Sequence, residues 1–83
     1  MIIKKYSIEL KKRAIKELKK INKKDQKNIF KKIEKLPNLE GDIKKLTNFT
    51  PEYRLRVGSY RVLFEIEDNK IIIYTIKHRR ESY

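Results

Sequence analysis

The chain has 83 residues, of which 23 are Lys or Arg and 11 are Asp or Glu; it carries a net charge of +12, one histidine and no cysteine. That length holds a single domain, residues 1–83, which buries only about 60% of its unfolded surface, so any site must lie on an open face rather than between domains. Without cysteine and with one His, disulfide staples, zinc knuckles, thiolate nucleophiles and His-based metal sites are excluded, and neither cofactor nor metal is expected.

Composition also bounds the setting. No apolar run approaches the roughly 18 to 20 residues of a membrane span, and the start MIIKKY lacks the apolar stretch of a signal peptide, so a cytoplasmic protein without a membrane partner is expected. High charge alone would suit a disordered chain, but 39% apolar residues in periodic patterns, with only two Gly and two Pro, argue for a folded one. The excess of positive charge points to a polyanion, either nucleic acid or an acidic protein. Of 17 lysines, 15 fall between Lys4 and Lys45, whereas five of six arginines fall between Arg54 and Arg80. Lysine suits solvated helix faces, while the planar arginine fork matches phosphate oxygens, so the second half is where a site is sought.

In chain order, Ile2 to Tyr6 reads as a first strand and Ser7 as the N-cap of a helix. From Ile8 to Ile21, Leu10, Ala14, Ile15, Leu18 and Ile21 recur at three- and four-residue steps, which predicts an amphipathic helix with lysines opposite. Asn22 with Asp25 three residues on resembles a capping box with a shorter acid. Gln26, Ile29, Phe30, Ile33 and Leu36 then repeat the helical spacing until Pro37 stops it. Asn38 to Asp42, with Gly41, reads as a turn, and Ile43 to Leu46 as a short strand before a loop around Thr47 to Pro51. The period then changes to two. Tyr53, Leu55 and Val57 alternate with Arg54 and Arg56; after Gly58-Ser59, Tyr60, Val62, Phe64 and Ile66 alternate with Arg61, Leu63, Glu65 and Glu67. Asp68-Asn69 marks a hairpin turn, and Lys70 to His78 is a last strand rich in β-branched residues. The expected fold class is α+β, of order β-α-α-β-β-β, with the helical hairpin on one face of a small, mainly antiparallel sheet.

The other face of that sheet would then display Arg54, Arg56 and Arg61. On the last strand, Ile72, Tyr74 and Ile76 form one candidate face and Ile71, Ile73, Thr75, Lys77 and Arg79 the other, and pairing beside Arg61 would bring Lys77, His78 and Arg79 near the same patch.

The run Tyr53-Arg54-Leu55-Arg56-Val57-Gly58-Ser59-Tyr60-Arg61-Val62-Leu63-Phe64, followed by His78-Arg79-Arg80-Glu81-Ser82-Tyr83, resembles the RelE/ParE superfamily of bacterial and archaeal toxins, within it the RelE-like branch that cleaves messenger RNA. The resemblance covers essentially the whole chain. It implies the RelE-like microbial ribonuclease fold and a type II toxin that enters the ribosomal A site. There it would cut the bound mRNA without metal, inhibiting translation until a cognate, RelB-like and acidic antitoxin neutralises it. Carried over by motif, the family's basic pair falls on Arg54 and Arg56, the arginine after the hairpin on Arg61, the arginine at the end of the last strand on Arg79, and the tail tyrosine on Tyr83. Well-studied RelE-like members carry lysines at the first pair and often continue beyond the tyrosine.

The residue types suit the chemistry independently. Cleavage of RNA by its own 2′-hydroxyl passes through a phosphorane with added negative charge, which preplaced cations stabilise more than the ground state. Arg61 and Arg79 are the candidates for the scissile phosphate. Arginine is a poor base, so Arg54 and Arg56 take electrostatic and positioning roles. For proton transfer, Tyr83, whose phenolate dense positive charge favours, stands beside His78, an imidazole flanked by Lys77, Arg79 and Arg80. A plain solvated sheet face is the structural alternative for Arg54, Arg56 and Arg61. The functional alternative is a non-enzymatic, ParE-like toxin acting on DNA gyrase.

Overall fold

The computed structural model describes residues 6–38, 41–46 and 50–78. Its elements run β1 (Ser7–Leu10), α1 (Lys12–Lys20), α2 (Lys23–Glu34), a short 3-10 turn (Leu36–Asn38), β2 (Asp42–Lys45), β3 (Tyr53–Val57), β4 (Tyr60–Glu67) and β5 (Lys70–His78). The five strands form one sheet in the order β1-β5-β4-β3-β2, antiparallel except for the β1–β5 pair. The α+β architecture is the expected one, with β2 counted as a strand of its own.

The start of the chain differs from its sequence reading. Ile2 to Lys5 lie outside the described residues, and the first strand is Ser7–Leu10, where the helix was expected to begin. Ser7 is therefore not an N-cap; its N–H donates to the Asn69 carbonyl at 2.8 Å. Ile8 and Leu10 satisfy both a helical and a two-residue spacing, and pairing with β5, from Ser7↔Lys70 to Leu10↔Ile73, selects the strand. The N-cap of α1 is Lys11, whose N–H donates to the Ile73 carbonyl at 2.9 Å.

The second helix follows its sequence signals. Asn22 Oδ1 accepts the Asp25 N–H at 2.9 Å, and Asn22 Nδ2 donates to Asp25 Oδ2 at 2.9 Å. The Gln26 side chain donates to the Ile21 carbonyl at 2.7 Å and so stitches the α1–α2 junction. Ala14, Ile29, Ile33 and Leu36 from the helical layer meet Leu55, Val57, Val62, Phe64, Ile71, Ile73 and Ile76 from the sheet in one core. Ile15 and Phe30, which the helical spacing placed on the buried stripe, are 39% and 50% exposed, because two short helices cover the sheet with only a narrow face each.

Neither expected face of β5 runs the length of that strand. Leu63 pairs with Thr75 but Phe64 with Ile73, so Tyr74 is the extra residue of a β-bulge. Before the bulge Ile71 and Ile73 point at the helices; after it Ile76 does, opposite Val62, while Thr75 and Lys77 take the other side. A single inserted residue reverses the parity.

Candidate active site

Because Leu55, Val57, Val62 and Phe64 are buried against the helices, the alternating residues Arg54, Arg56 and Arg61 project from the opposite face of β3 and β4. Register then sets cations side by side. Arg56 lies directly opposite Arg61, and Arg61 directly opposite Lys77. Asp42 stands opposite Arg56 at the β2 end of this row. Like charges at directly opposed positions repel across the strands. Three cations abreast concentrate positive charge on this stretch of the sheet, which suits an anion.

Arg54 lies one pair along the same face, between Lys44 and Leu63. Its side chain is only 14% exposed, its Nη2 is 3.8 Å from Asp42 Oδ1, and its Nε is buried without a hydrogen bond. A guanidinium held this closely is pre-set in direction, which is what phosphate recognition requires of it. Arg56 is exposed and Arg61 half-buried. Toward the other end of β4 the face changes sign: Leu63 is followed by Glu65 and Glu67, and Glu65 Oε2 accepts the Glu52 N–H at 2.8 Å. The basic region is thus confined to the end of the sheet where the β3–β4 hairpin turns and β5 finishes.

The bulge at Tyr74 delivers Lys77 to this row and turns His78 away from it. His78 pairs with Tyr60 on the helix side, where the two rings meet edge to face with centroids 5.2 Å apart. It lines a shallow pocket with Glu17, Lys20, Ile21, Asn22, Tyr60 and Ile76. Of the sequence-derived candidates, Arg54, Arg56 and Arg61 share one face, His78 lies across the sheet from them, and Arg79 and Tyr83 fall outside the described residues.

Sequence reasoning passed over Glu17, and it brought Lys77 near the Arg61 patch, as the register does, without assigning it a role. Glu17 is the sole acid of α1, and its carboxylate binds the part of β5 that carries Lys77: Oε1 accepts from Thr75 Oγ1 at 2.6 Å and from the Ile76 N–H at 3.0 Å, and Oε2 lies 3.7 Å from Lys77 Nζ. The available signal was an acid near the apolar stripe of a lysine-rich helix, four residues from Arg13. Among the described residues no three His, Cys, Asp or Glu side chains gather as a metal site would need, and no helix is long and apolar enough to cross a membrane.

Two helices on one face of a small sheet and a basic row on the other define a compact α+β class of protein suited to an anionic partner. The fold matches a chain of the RelB–RelE antitoxin–toxin complex from Methanococcus jannaschii with a TM-score of 0.74 and 32% identity, over 87% of this chain and 91% of that one. Putative toxin RelE1 of Methanocaldococcus jannaschii is 34% identical over 86 residues, 95% of this chain and 96% of the relative. Toxin RelE3 of the same organism is 40% identical over 48 residues, a match that spans about half of its length, 54%. Residues 8–83 match the family model described as the ParE toxin of the type II toxin–antitoxin system, parDE. The chain belongs to that toxin family, within the RelE/ParE superfamily, and is RelE-like.

Proposed function

We propose that this toxin is a ribosome-dependent endoribonuclease that cleaves messenger RNA in the A site and so inhibits translation. The observation that carries the reading is the aligned row Arg56–Arg61–Lys77 with Arg54 beside it, a concentration of cations that fits a phosphodiester. The 2′-hydroxyl of the message attacks the adjacent phosphorus in line, the bond to the 5′-oxygen breaks, and a 2′,3′-cyclic phosphate and a 5′-hydroxyl are left. Arg61 and Arg79 stabilise the phosphorane, Arg54 and Arg56 position the chain, and the ribosome holds the message so that attack is in line. His78 faces the helices, across the sheet from Arg61, so Tyr83 is assigned the proton transfer. None of these steps calls for a metal ion.

The partner is a RelB-like antitoxin, a reading supported by the solved RelB–RelE complex that this fold resembles and by a charge of +12 that favours an acidic segment. The description of the matched family model by the parDE pair favours a second reading, inhibition of DNA gyrase. Toeprinting on programmed ribosomes separates the two. Cuts within the A-site codon, reduced by about 10² to 10³ in rate for Arg61→Ala, support the nuclease. Intact messages together with gyrase-dependent DNA breaks would support the other.

A further inference from the structure

The β1–β5 ladder ends at Leu10 opposite Ile73, so among the described residues the outer edge of β5 beyond Ile73 has no strand beside it. Helix α1 packs there, and a side chain takes the place of a strand. Glu17 Oε1 accepts both the Thr75 hydroxyl, at 2.6 Å, and the Ile76 N–H, at 3.0 Å. With one oxygen fixed in this way, Oε2 is presented to Arg13 Nε and Lys77 Nζ, each at 3.7 Å. The Glu17 and Lys77 side chains are 22% and 25% exposed, so the pair is better sheltered than an ordinary surface ion pair.

Lys77 stands directly beside Arg61 in the cation row. An ammonium on a flexible four-carbon stem, repelled by a neighbouring guanidinium, swings toward solvent unless something holds it. Glu17 is itself anchored by Thr75 and Ile76 and meets the ammonium from the β5 edge. At the opposite end of the row Asp42 has the equivalent place, 3.8 Å from Arg54 Nη2.

We propose that Lys77 is a phosphate-binding residue of the site on the sheet face away from the helices, acting beside Arg56 and Arg61, and that Glu17 is its positioning residue. This rests on the reading of that face as an RNA site. Two functions of Glu17 are separable: Oε1 fastens α1 to β5, and the charge on Oε2 holds Lys77. Glu17→Gln keeps an oxygen acceptor for Thr75 and Ile76 and removes the charge, whereas Thr75→Val removes a fastening bond and keeps the charge.

The test measures single-turnover cleavage on programmed ribosomes and, separately, the salt dependence of binding to a single-stranded RNA oligonucleotide. Lys77→Met is expected to lower kcat/KM by roughly ten- to hundredfold, the worth of one charge-assisted hydrogen bond. It should also reduce the salt slope of oligonucleotide binding by about 0.7. Lys77→Arg should retain most of both. Glu17→Gln should lower kcat/KM by roughly three- to tenfold in the parent and have no further effect in the Lys77→Met background. Thr75→Val should lower the Tm and leave the salt slope alone. An unchanged rate and slope for Lys77→Met overturns the proposal, as does a Glu17→Gln effect of equal size with and without Lys77. If the parent does not cleave on ribosomes, the nuclease reading falls, and the oligonucleotide slope still decides whether Lys77 and Glu17 form an RNA site.

Discussion

At the scale of single residues, the site depends on where parity and register put each charge. The alternation of Arg54, Arg56 and Arg61 with Leu55, Val57 and Val62 was legible in the sequence, since a period of two over a strand admits one arrangement with the apolar side inward. The roles of Lys77, His78 and Glu17 were not. The first two depend on a bulge whose cause is tertiary, and Glu17 meets Thr75 and Ile76 across almost sixty residues of chain. A backbone constraint just before β2, against the core side of the sheet, is open to direct test. Gly41, with φ at +118°, precedes β2, and a Cβ there would stand 2.9 Å from Leu55 Cδ1. Gly41→Ala combines an unfavourable backbone conformation with a clash against a fully buried side chain. It should cost more than about 1 kcal/mol in urea unfolding, with an unchanged m-value.

At the scale of elements, the second helix and the two hairpins were readable because local chemistry defines them. Asn22 and Asp25 announce the start of α2, and Gly58 and Asp68, with φ of +56° and +53°, open the two-residue turns of the β3–β4 and β4–β5 hairpins. The first helix was misread by one element because Ile8 and Leu10 fit either period; only the parallel partner Lys70–Ile73, far along the chain, breaks the tie. The cap at Asn22 is open to direct test. Asn22→Ala removes the hydrogen bond to the Asp25 N–H and is expected to destabilise the protein by about 1 kcal/mol, read as a lowered urea midpoint. The cation row, on the far side of the sheet, should be unaffected, so RNA binding by the folded variant should match that of the parent.

At the scale of the whole molecule, the charge of +12 separates into two parts with different physical roles. Lysines on the exposed surfaces of α1 and α2 provide salt-dependent attraction to any polyanion. The arginines and Lys77 on the opposite face of the sheet form a compact cluster, bounded by Asp42 and Glu17 at its ends and by Glu65 and Glu67 along β4. The core that holds these faces apart is small, and a folded RelB-like partner would add buried surface as well as cover charge. The central claim is that the cluster stabilises attack by the RNA's own 2′-hydroxyl. It is tested most directly by ribosomes programmed with a message carrying a single 2′-deoxynucleotide on the 5′ side of the scissile phosphate. The account predicts A-site cleavage of the all-ribose message, with a cyclic phosphate at the new end, and an intact deoxy-substituted one. Equal cleavage of both messages would contradict it.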